Sequence, residues 1–266
     1  MPSPITRQRS LKEASHADLL PSFTKITTSR TGLSKTSFSR IASIVVLASA
    51  ATFLSAQTSA QGSAQQSLLD NYPPVSDAEL SDPADGDWLM WRRTANHWGY
   101  SPLDQINKNN VDSLRLAWAW TMEPGKQETT PLVRDGIMFL PQACDFIEAV
   151  DATDGTMLWE YRRPTVDHVA PLSCANRNAT LYKDQLIIAT RDAYIVSLNA
   201  LSGEVTWERR IGDWTVGQHY SGGPQVFDGK IITGMSGCYY INTSCWITAH
   251  DADTGGMVRQ AEEGEF

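Results

Sequence analysis

The chain repeats one eleven-residue phrase three times, over residues 149–159, 197–207 and 249–259. Each copy has Asp or Asn at its third position and Gly at its seventh, and two copies end in Trp. The copies start 48 and 52 residues apart, and a period of this length is typical of repeat architectures. Because one such unit cannot bury its apolar face alone, it must stack on its neighbours. The repeat therefore limits the chain to an architecture of stacked units.

A second phrase keeps the same period and contains a tight turn, at residues 131–140, 180–189 and 224–233. Each copy reads as a strand, a turn of the Asp-Gly type and a second strand rich in Ile, Val and Phe. Together the two phrases give about four antiparallel strands per repeat, which is the composition of a propeller blade. The sequence therefore predicts an all-β fold, a partial β-propeller of about three four-stranded blades.

The tryptophan that ends the first phrase has a large apolar ring that is suited to packing between adjacent blades. Trp159 and Trp207 occupy this position in the first two copies, and Arg259 replaces them in the third. The third blade is therefore expected to be atypical or unfinished.

The first 60 residues lack the repeat and are predicted to be a leader. They hold seven of the 22 Lys and Arg residues but two of the 30 Asp and Glu residues, with an apolar stretch at 41–55. This order is typical of a secretory signal, and the alternative is a retained membrane tether through 41–55. Residues 61–86 are rich in Gln, Ser, Asp and Pro and are predicted to be a disordered linker. The propeller part is assigned to residues 87–266.

Beyond residue 60 the chain is acidic, with a net charge of about −13 against −8 for the whole sequence. Contacts to phosphate groups require a basic surface, so this charge argues against a nucleic-acid partner. An acidic surface is compatible with a solvated exterior or with a basic partner protein.

The four cysteines lie in the part of the chain that follows the leader. An even number of cysteines in an exported protein favours disulfides. Cys238 and Cys245 flank a short loop between two predicted strands, which predicts a bond across a hairpin. A bond between Cys144 and Cys174 is possible across adjacent blades. The cysteine spacing does not match that of a metal site.

Several segments in order resemble the quinoprotein alcohol and methanol dehydrogenases, which use pyrroloquinoline quinone (PQQ). The opening segment begins at Asp87-Trp88 and runs to Val111, and the resemblance continues to about residue 258. The matching segments are 87–111, 114–118, 127–133, 149–155, 236–238 and 245–251. The resemblance implies an eight-bladed propeller with PQQ in its central funnel, of which this chain represents the N-terminal part.

The resemblance also assigns cofactor-binding residues. Glu128 falls where the family places a glutamate against PQQ, and Arg177 falls where its arginine reaches a PQQ carboxylate. The alternatives are an exposed edge carboxylate for Glu128 and, for Arg177, a loop arginine paired with Asp167 or Asp184.

Four further positions match family residues that offer hydroxyl or backbone donors to the cofactor. They are Ser221, Ser236, Gly237 and Cys238. The alternative for all four is the ordinary turn chemistry of strand ends.

The chain departs from the family pattern at two positions. Many members have two adjacent cysteines over PQQ, whereas the matching region here contains Cys174 alone. Tyr239 stands where much of the family has a glutamate that binds calcium, and a neutral phenol is a poor calcium ligand. Calcium is therefore expected from the resemblance with an incomplete site.

A third departure concerns the catalytic base. The resemblance places the catalytic aspartate of the family in a later blade, beyond Phe266, and no matching segment precedes that residue. No catalytic residue is therefore assigned in this chain.

The resemblance implies an exported, periplasmic PQQ-dependent dehydrogenase. Its substrate would be an alcohol or polyol, and its electrons would pass to a cytochrome c. The part of the enzyme in this chain is expected to be inactive alone. Two alternatives are a non-enzymatic propeller scaffold that binds proteins and a truncated product without function. A scaffold has no reason to keep Glu128 and Arg177 together.

Overall fold

A computed structural model of the chain contains three four-stranded antiparallel sheets, each with its strands in chain order. The structure describes residues 66–164, 174–175, 177–238 and 244–262. Blade 1 consists of β1 (Leu132–Arg134), β2 (Ile137–Gln142), β3 (Phe146–Asp151) and β4 (Met157–Arg162). Blade 2 consists of β5 (Ala179–Tyr182), β6 (Gln185–Ala189), β7 (Tyr194–Asn199) and β8 (Val205–Arg210). Blade 3 consists of β9 (Gln225–Phe227), β10 (Lys230–Gly234), β11 (Trp246–Asp251) and β12 (Met257–Glu262). The predicted partial propeller is confirmed.

The eleven-residue phrase forms the hairpin between the third and fourth strands of each blade. In every blade the strand register shifts at the first two residues of the phrase, as it does between Ala149 and Val150. The turn then closes in the same way, and in blade 1 the N–H of Gly155 donates to the carbonyl of Asp151 over 2.9 Å. The repeat therefore encodes a bulged hairpin as well as a strand pair.

The turn between the first and second strands follows the Asp-Gly prediction in two blades. Asp135 and Gly136 both have positive φ, as do Asp228 and Gly229, which is the conformation of a type I′ hairpin. Blade 2 differs because its turn holds Lys183 at φ 53° and has no Gly. Aspartate adopts the left-handed region more readily than lysine does, so this hairpin depends more on its surroundings than the other two.

Tryptophan rings connect each blade to the next by lying on the glycine of the repeat. A Cβ atom added to Gly203 would come within 2.5 Å of the Trp159 ring, and one on Gly255 within 2.6 Å of the Trp207 ring. The indole N–H of Trp159 also donates to the carbonyl of Ala200 over 2.9 Å. The eleven-residue phrase therefore supplies both the tryptophan ring of one blade and the glycine of the next blade on which the ring packs.

Burial of the strands reflects this stacking. Every residue of β6 in the middle blade is buried, because blades 1 and 3 cover both of its faces. In blade 3 the burial of β10 alternates, and Ile232 and Ile247 are 42% and 43% exposed. One face of blade 3 is thus open among the described residues.

The described part of the predicted linker packs against the first strands of the blades, so it differs from a free lead-in. Val75 forms an antiparallel bridge with Lys183 beside β5, and Trp88 forms one with Val133 in β1. These contacts occupy backbone groups at the edges of the first strands, which would otherwise be open for pairing.

Local signals explain why this polar segment folds. Helix α1 (Asp77–Ser81) begins with a capping box, in which Ser76 and Glu79 each satisfy the backbone N–H of the other. Val75 and Leu80 are buried at 0% and 3% exposure. A few apolar residues and one cap are therefore enough to fix a segment whose composition suggests disorder.

Two buried arginines hold separate parts of the fold together. Arg134 in β1 pairs with Asp87 of the N-terminal segment over 2.6 Å. Arg163, at the end of blade 1, pairs with Asp192 and Glu208 of blade 2 over 2.9 and 2.5 Å. Breaking a buried pair leaves an uncompensated charge and typically costs about 3–5 kcal/mol.

Several predicted boundaries fall outside the described residues. The described residues do not include the leader with its apolar stretch 41–55. They also do not include Phe266, the last residue assigned to the propeller part. The boundary proposed at residue 60 and the placement of the catalytic aspartate beyond Phe266 therefore stay predictions. The boundary proposed at residue 86 lies among the described residues and also stays a prediction. Among the described residues, no helix has the length and apolar character that crossing a bilayer requires.

The stacking contact predicts that Gly203→Ala destabilises the chain. Gly203 has a φ of 72°, and its added methyl group would meet the Trp159 ring. Left-handed backbone and overpacking together cost about 2–5 kcal/mol. Urea unfolding followed by circular dichroism measures the change. Gly86→Ala is the matched control, since no atom lies within 4 Å of its added Cβ, and its effect should stay within about 0.5 kcal/mol. Equal effects of the two substitutions would contradict the stacking role.

His250 predicts a pH dependence of stability. Its side chain is fully buried in β11, and burial lowers its pKa below the ordinary value of 6.5, although a hydrogen bond to the Gly255 carbonyl raises it in part. Below pH 6.5 the unfolded chain binds the proton more readily, so the free energy of unfolding falls as the pH falls. Each unit of lowered pKa is worth about 1.4 kcal/mol.

Leu198 holds the same repeat position in blade 2, so His250→Leu should flatten the loss of stability between about pH 7.5 and about pH 5.5. Urea unfolding at a series of pH values measures this slope. His97→Leu, at a partly exposed position, is the matched histidine-to-leucine control. An unchanged slope in His250→Leu would show that the dependence arises elsewhere.

Candidate cofactor-binding site

The two ends of the blades hold different types of connection between strands. One end, here called the turn end, holds the hairpins of the two repeated phrases. The other end, here called the connector end, holds the connections between second and third strands and the crossings from one blade to the next. Glu128, Arg177 and Ser221 precede β1, β5 and β9, and Ser236 follows β10. All four therefore lie at the connector end.

The structure brings Glu128 and Arg177 together. Arg177 Nη2 lies 2.7 Å from Glu128 Oε2, and the two side chains are 45% and 39% exposed. Arg177 Nη1 also donates to the carbonyl of Ser221 over 3.1 Å. One guanidinium thus joins residues that precede blades 1, 2 and 3. Asp184, a partner considered for Arg177, lies at the turn end, and Asp167 lies outside the described residues.

Two serines extend this cluster. The hydroxyl oxygens of Ser221 and Ser236 are 3.4 Å apart. The backbone of Ser236 forms an antiparallel bridge with His219, which fixes the segment before β9 against the end of β10. Glu128, Arg177, Ser221 and Ser236 are called the Arg177 cluster below.

Gly237 and Cys238 shape the loop beside the cluster. Gly237 has a φ of 89°, and an added Cβ would lie 1.9 Å from the carbonyl oxygen of Gly217, so glycine is required there. Cys238 forms a disulfide with Cys245 and packs on the apolar group around Tyr220. Tyr239 lies outside the described residues.

Both predicted disulfides are present, Cys144–Cys174 and Cys238–Cys245. Cys174 is joined to a cysteine of blade 1 and is not part of an adjacent pair. A further contact had no signal in the sequence: the N–H of Ala143 donates to the side-chain oxygen of Gln127 over 3.2 Å. This contact anchors the residue next to Glu128.

The cluster is suited to an anionic ligand. A guanidinium has five N–H donors in a planar arrangement that matches carboxylates, and the described residues use Arg177 donors for Glu128 and Ser221. The side-chain oxygen of Asn178 is buried beside Arg177 and has no hydrogen-bond partner among the described residues. In that part of the chain, no group of three or more His, Cys, Asp or Glu residues could hold a metal ion.

Comparison with known proteins identifies the family of the chain. The family description "Glucose/ethanol/alcohol dehydrogenase, beta-propeller domain", whose name is PQQ, matches residues 88–258. The chain belongs to the PQQ-dependent alcohol dehydrogenase family. The resemblance inferred from the sequence is thereby confirmed.

Two curated relatives illustrate the match. The dehydrogenase subunit of a quinone-type alcohol dehydrogenase from Komagataeibacter europaeus is 33% identical over 189 residues, which covers 66% of this chain and 25% of the relative. Quinohemoprotein alcohol dehydrogenase ADH IIB from Pseudomonas putida is 34% identical over 181 residues, with 66% and 26% covered. The chain thus spans about a quarter of the length of these dehydrogenases.

Solved structures show the same family fold. Quinohemoprotein alcohol dehydrogenase ADHIIG from Pseudomonas putida HK5 superposes with a TM-score of 0.68 at 28% identity, covering 72% of this chain and 29% of that one. A europium-containing methanol dehydrogenase gives a TM-score of 0.63 at 27% identity, with 70% and 33% covered.

Proposed function

We propose that the Arg177 cluster forms one wall of the PQQ site of a dehydrogenase that oxidises an alcohol or polyol. The observation that carries this proposal is the joining of Glu128, Arg177 and Ser221 at the connector end by one guanidinium. The resemblance assigned cofactor contacts to these residues separately, and folding brings them into one cluster.

The residues of the cluster fit PQQ chemically. PQQ carries carboxylate groups, and a half-exposed guanidinium can bind one of them with paired N–H donors. The hydroxyls of Ser221 and Ser236 add neutral donors next to it. The site therefore offers charged and neutral donors to an anionic, polar ring system.

Bound PQQ would supply the acceptor for the hydride of the alcohol. The residues of this chain would bind and orient it. Arg177 fixes one carboxylate, and Glu128 keeps the guanidinium in place before the cofactor arrives. Such preparation reduces the loss of side-chain freedom on binding, which is about 0.5–1.5 kcal/mol for each side chain immobilised.

Calcium has no built site among the described residues, and Tyr239 lies outside them. The europium of the methanol dehydrogenase belongs to that protein. Calcium therefore stays an expectation from the resemblance, with none of its ligands named in this chain.

We also propose export to the periplasm and transfer of electrons to a cytochrome c. Two disulfides favour an oxidising compartment. Relatives such as ADH IIB are named quinohemoproteins, which favours a haem group as the next electron carrier.

Arg177→Gln is expected to weaken PQQ binding. Loss of a hydrogen bond to a charged group costs about 1.5–3 kcal/mol, so the dissociation constant should rise roughly tenfold or more. Equilibrium dialysis of PQQ against the purified chain measures the affinity. Arg210→Gln is the matched control, because Arg210 is 50% exposed and pairs with Asp213, and neither residue belongs to the Arg177 cluster. Unchanged affinity in Arg177→Gln would contradict the proposal and favour a scaffold without a cofactor.

The purified chain is expected to show no alcohol oxidation with PQQ and calcium in a dye-linked assay. It spans about a quarter of the length of its relatives, so the bound cofactor would keep much of its surface in water. An active site must replace that water with fixed polar groups. A full-length relative assayed with the same dye and alcohol is the positive control. Sustained turnover by this chain above that of free PQQ would contradict the prediction.

A further inference from the structure

One turn of blade 1 has an uncommon backbone. The segment Ala143–Asp145 joins β2 to β3 at the connector end. Cys144 and Asp145 have φ of 63° and 59°, a conformation that few non-glycine residues adopt. Residues held in this region persist where their surroundings fix them, and they concentrate at functional sites. Residues 143–145 are called the Cys144 turn below.

This turn contacts residues that lie close in the chain to each member of the Arg177–Glu128 pair. Cys144 is joined to Cys174 by a disulfide, and its N–H donates to the carbonyl of Cys174 over 2.8 Å. Cys174 precedes Arg177 by three residues. On the other side, the N–H of Ala143 is bound to Gln127, the residue before Glu128.

Blade 2 holds the turn in place. Asp145 is 2% exposed, and its carboxylate accepts the backbone N–H of Arg191 over 3.0 Å. Arg191 Nη1 donates in turn to the sulfur of Cys174 over 3.1 Å. The carbonyl of Asp145 accepts the N–H of Arg163 over 3.3 Å. The turn is therefore anchored to the β6–β7 connection as well as to its own blade.

We propose that the Cys144 turn is the positioning element of the cofactor site. Through the disulfide to Cys174 and the hydrogen bond to Gln127, it holds Arg177 against Glu128. An ion pair this exposed changes an equilibrium constant by roughly fivefold at most, so it cannot align two loops alone. Cys144 and Cys174 then act on the cofactor only through Arg177.

The first experiment measures the alignment without a cofactor. Phenylglyoxal modifies accessible arginines, and mass spectrometry gives the rate for each one. In the double variant Cys144→Ser, Cys174→Ser, we expect Arg177 to react roughly two- to fivefold faster, as in Glu128→Gln, which removes the ion pair directly. Arg210 is the internal control, since it is 50% exposed and paired with Asp213 over 2.9 Å, much as Arg177 is paired with Glu128. A purely structural disulfide would change the rates of both arginines or of neither, and either result would overturn the proposal.

The second experiment measures PQQ affinity by equilibrium dialysis. The double variant should bind PQQ roughly two- to tenfold more weakly, because binding must then order the Arg177 side chain. This arm rests on the proposed function. If the unmodified chain binds no PQQ, the proposed function fails, and the phenylglyoxal rates still decide whether the turn positions Arg177.

A disulfide that joins cysteines 30 residues apart contributes to stability, so the double variant could fail to give the native circular dichroism spectrum. Gln127→Ala then decides, since it removes the acceptor of the Ala143 N–H and leaves the disulfide intact. A faster Arg177 reaction in folded Gln127→Ala supports the proposal. An unchanged rate in that variant overturns it.

Discussion

The fold depends on the contact between an indole ring and a glycine turn, which joins each blade to the next. Gly203 and Gly255 have positive φ and lie directly beneath Trp159 and Trp207. Glycine is therefore needed at these positions for two reasons: it adopts the left-handed backbone, and it leaves room for the indole ring. Trp118 lies on Gly155 in the same way, although it precedes the first strand of blade 1. Trp118 thus makes with blade 1 the contact that Trp159 and Trp207 make with blades 2 and 3.

Two other kinds of contact stabilise this stacking: backbone bridges from the N-terminal segment and a buried ion pair between blades 1 and 2. The N-terminal segment closes the edges of the first strands through the bridges at Val75 and Trp88. Between blades 1 and 2, the buried guanidinium of Arg163 binds two carboxylates of its neighbour. Such groups are poor sources of net stability, but they penalise any arrangement that separates the partners. They therefore favour one relative position of the blades.

The sequence predicted the blades well because both repeated phrases are local signals, with turn chemistry and strand periodicity that agree with each other. Over residues 66–86 the polar composition gave no signal for the capping box and the few buried apolar side chains that the structure has there. The sequence also missed the different turn of blade 2, in which Lys183 has a positive φ and its backbone is paired with Val75.

The sequence predicted which residues form the candidate site, but it did not predict the contacts between them. The resemblance named Glu128, Arg177 and the serines one position at a time, and it could not state that Arg177 would pair with Glu128. The hydrogen bond from Ala143 to Gln127 lies beside two left-handed residues of the Cys144 turn, Cys144 and Asp145. Their residue types do not predict that conformation. Contacts of this kind arise from tertiary structure and have no local signature.

The separation of the turn end from the connector end has a consequence for how such a protein can change over evolution. The phrase that makes blades adhere is confined to the turn end, whereas the Arg177 cluster and both disulfides lie at the connector end. Substitutions and insertions among the connectors leave the indole–glycine contacts untouched. Ligand preference can therefore change through substitutions at the connector end, while the contacts at the turn end keep the blades stacked.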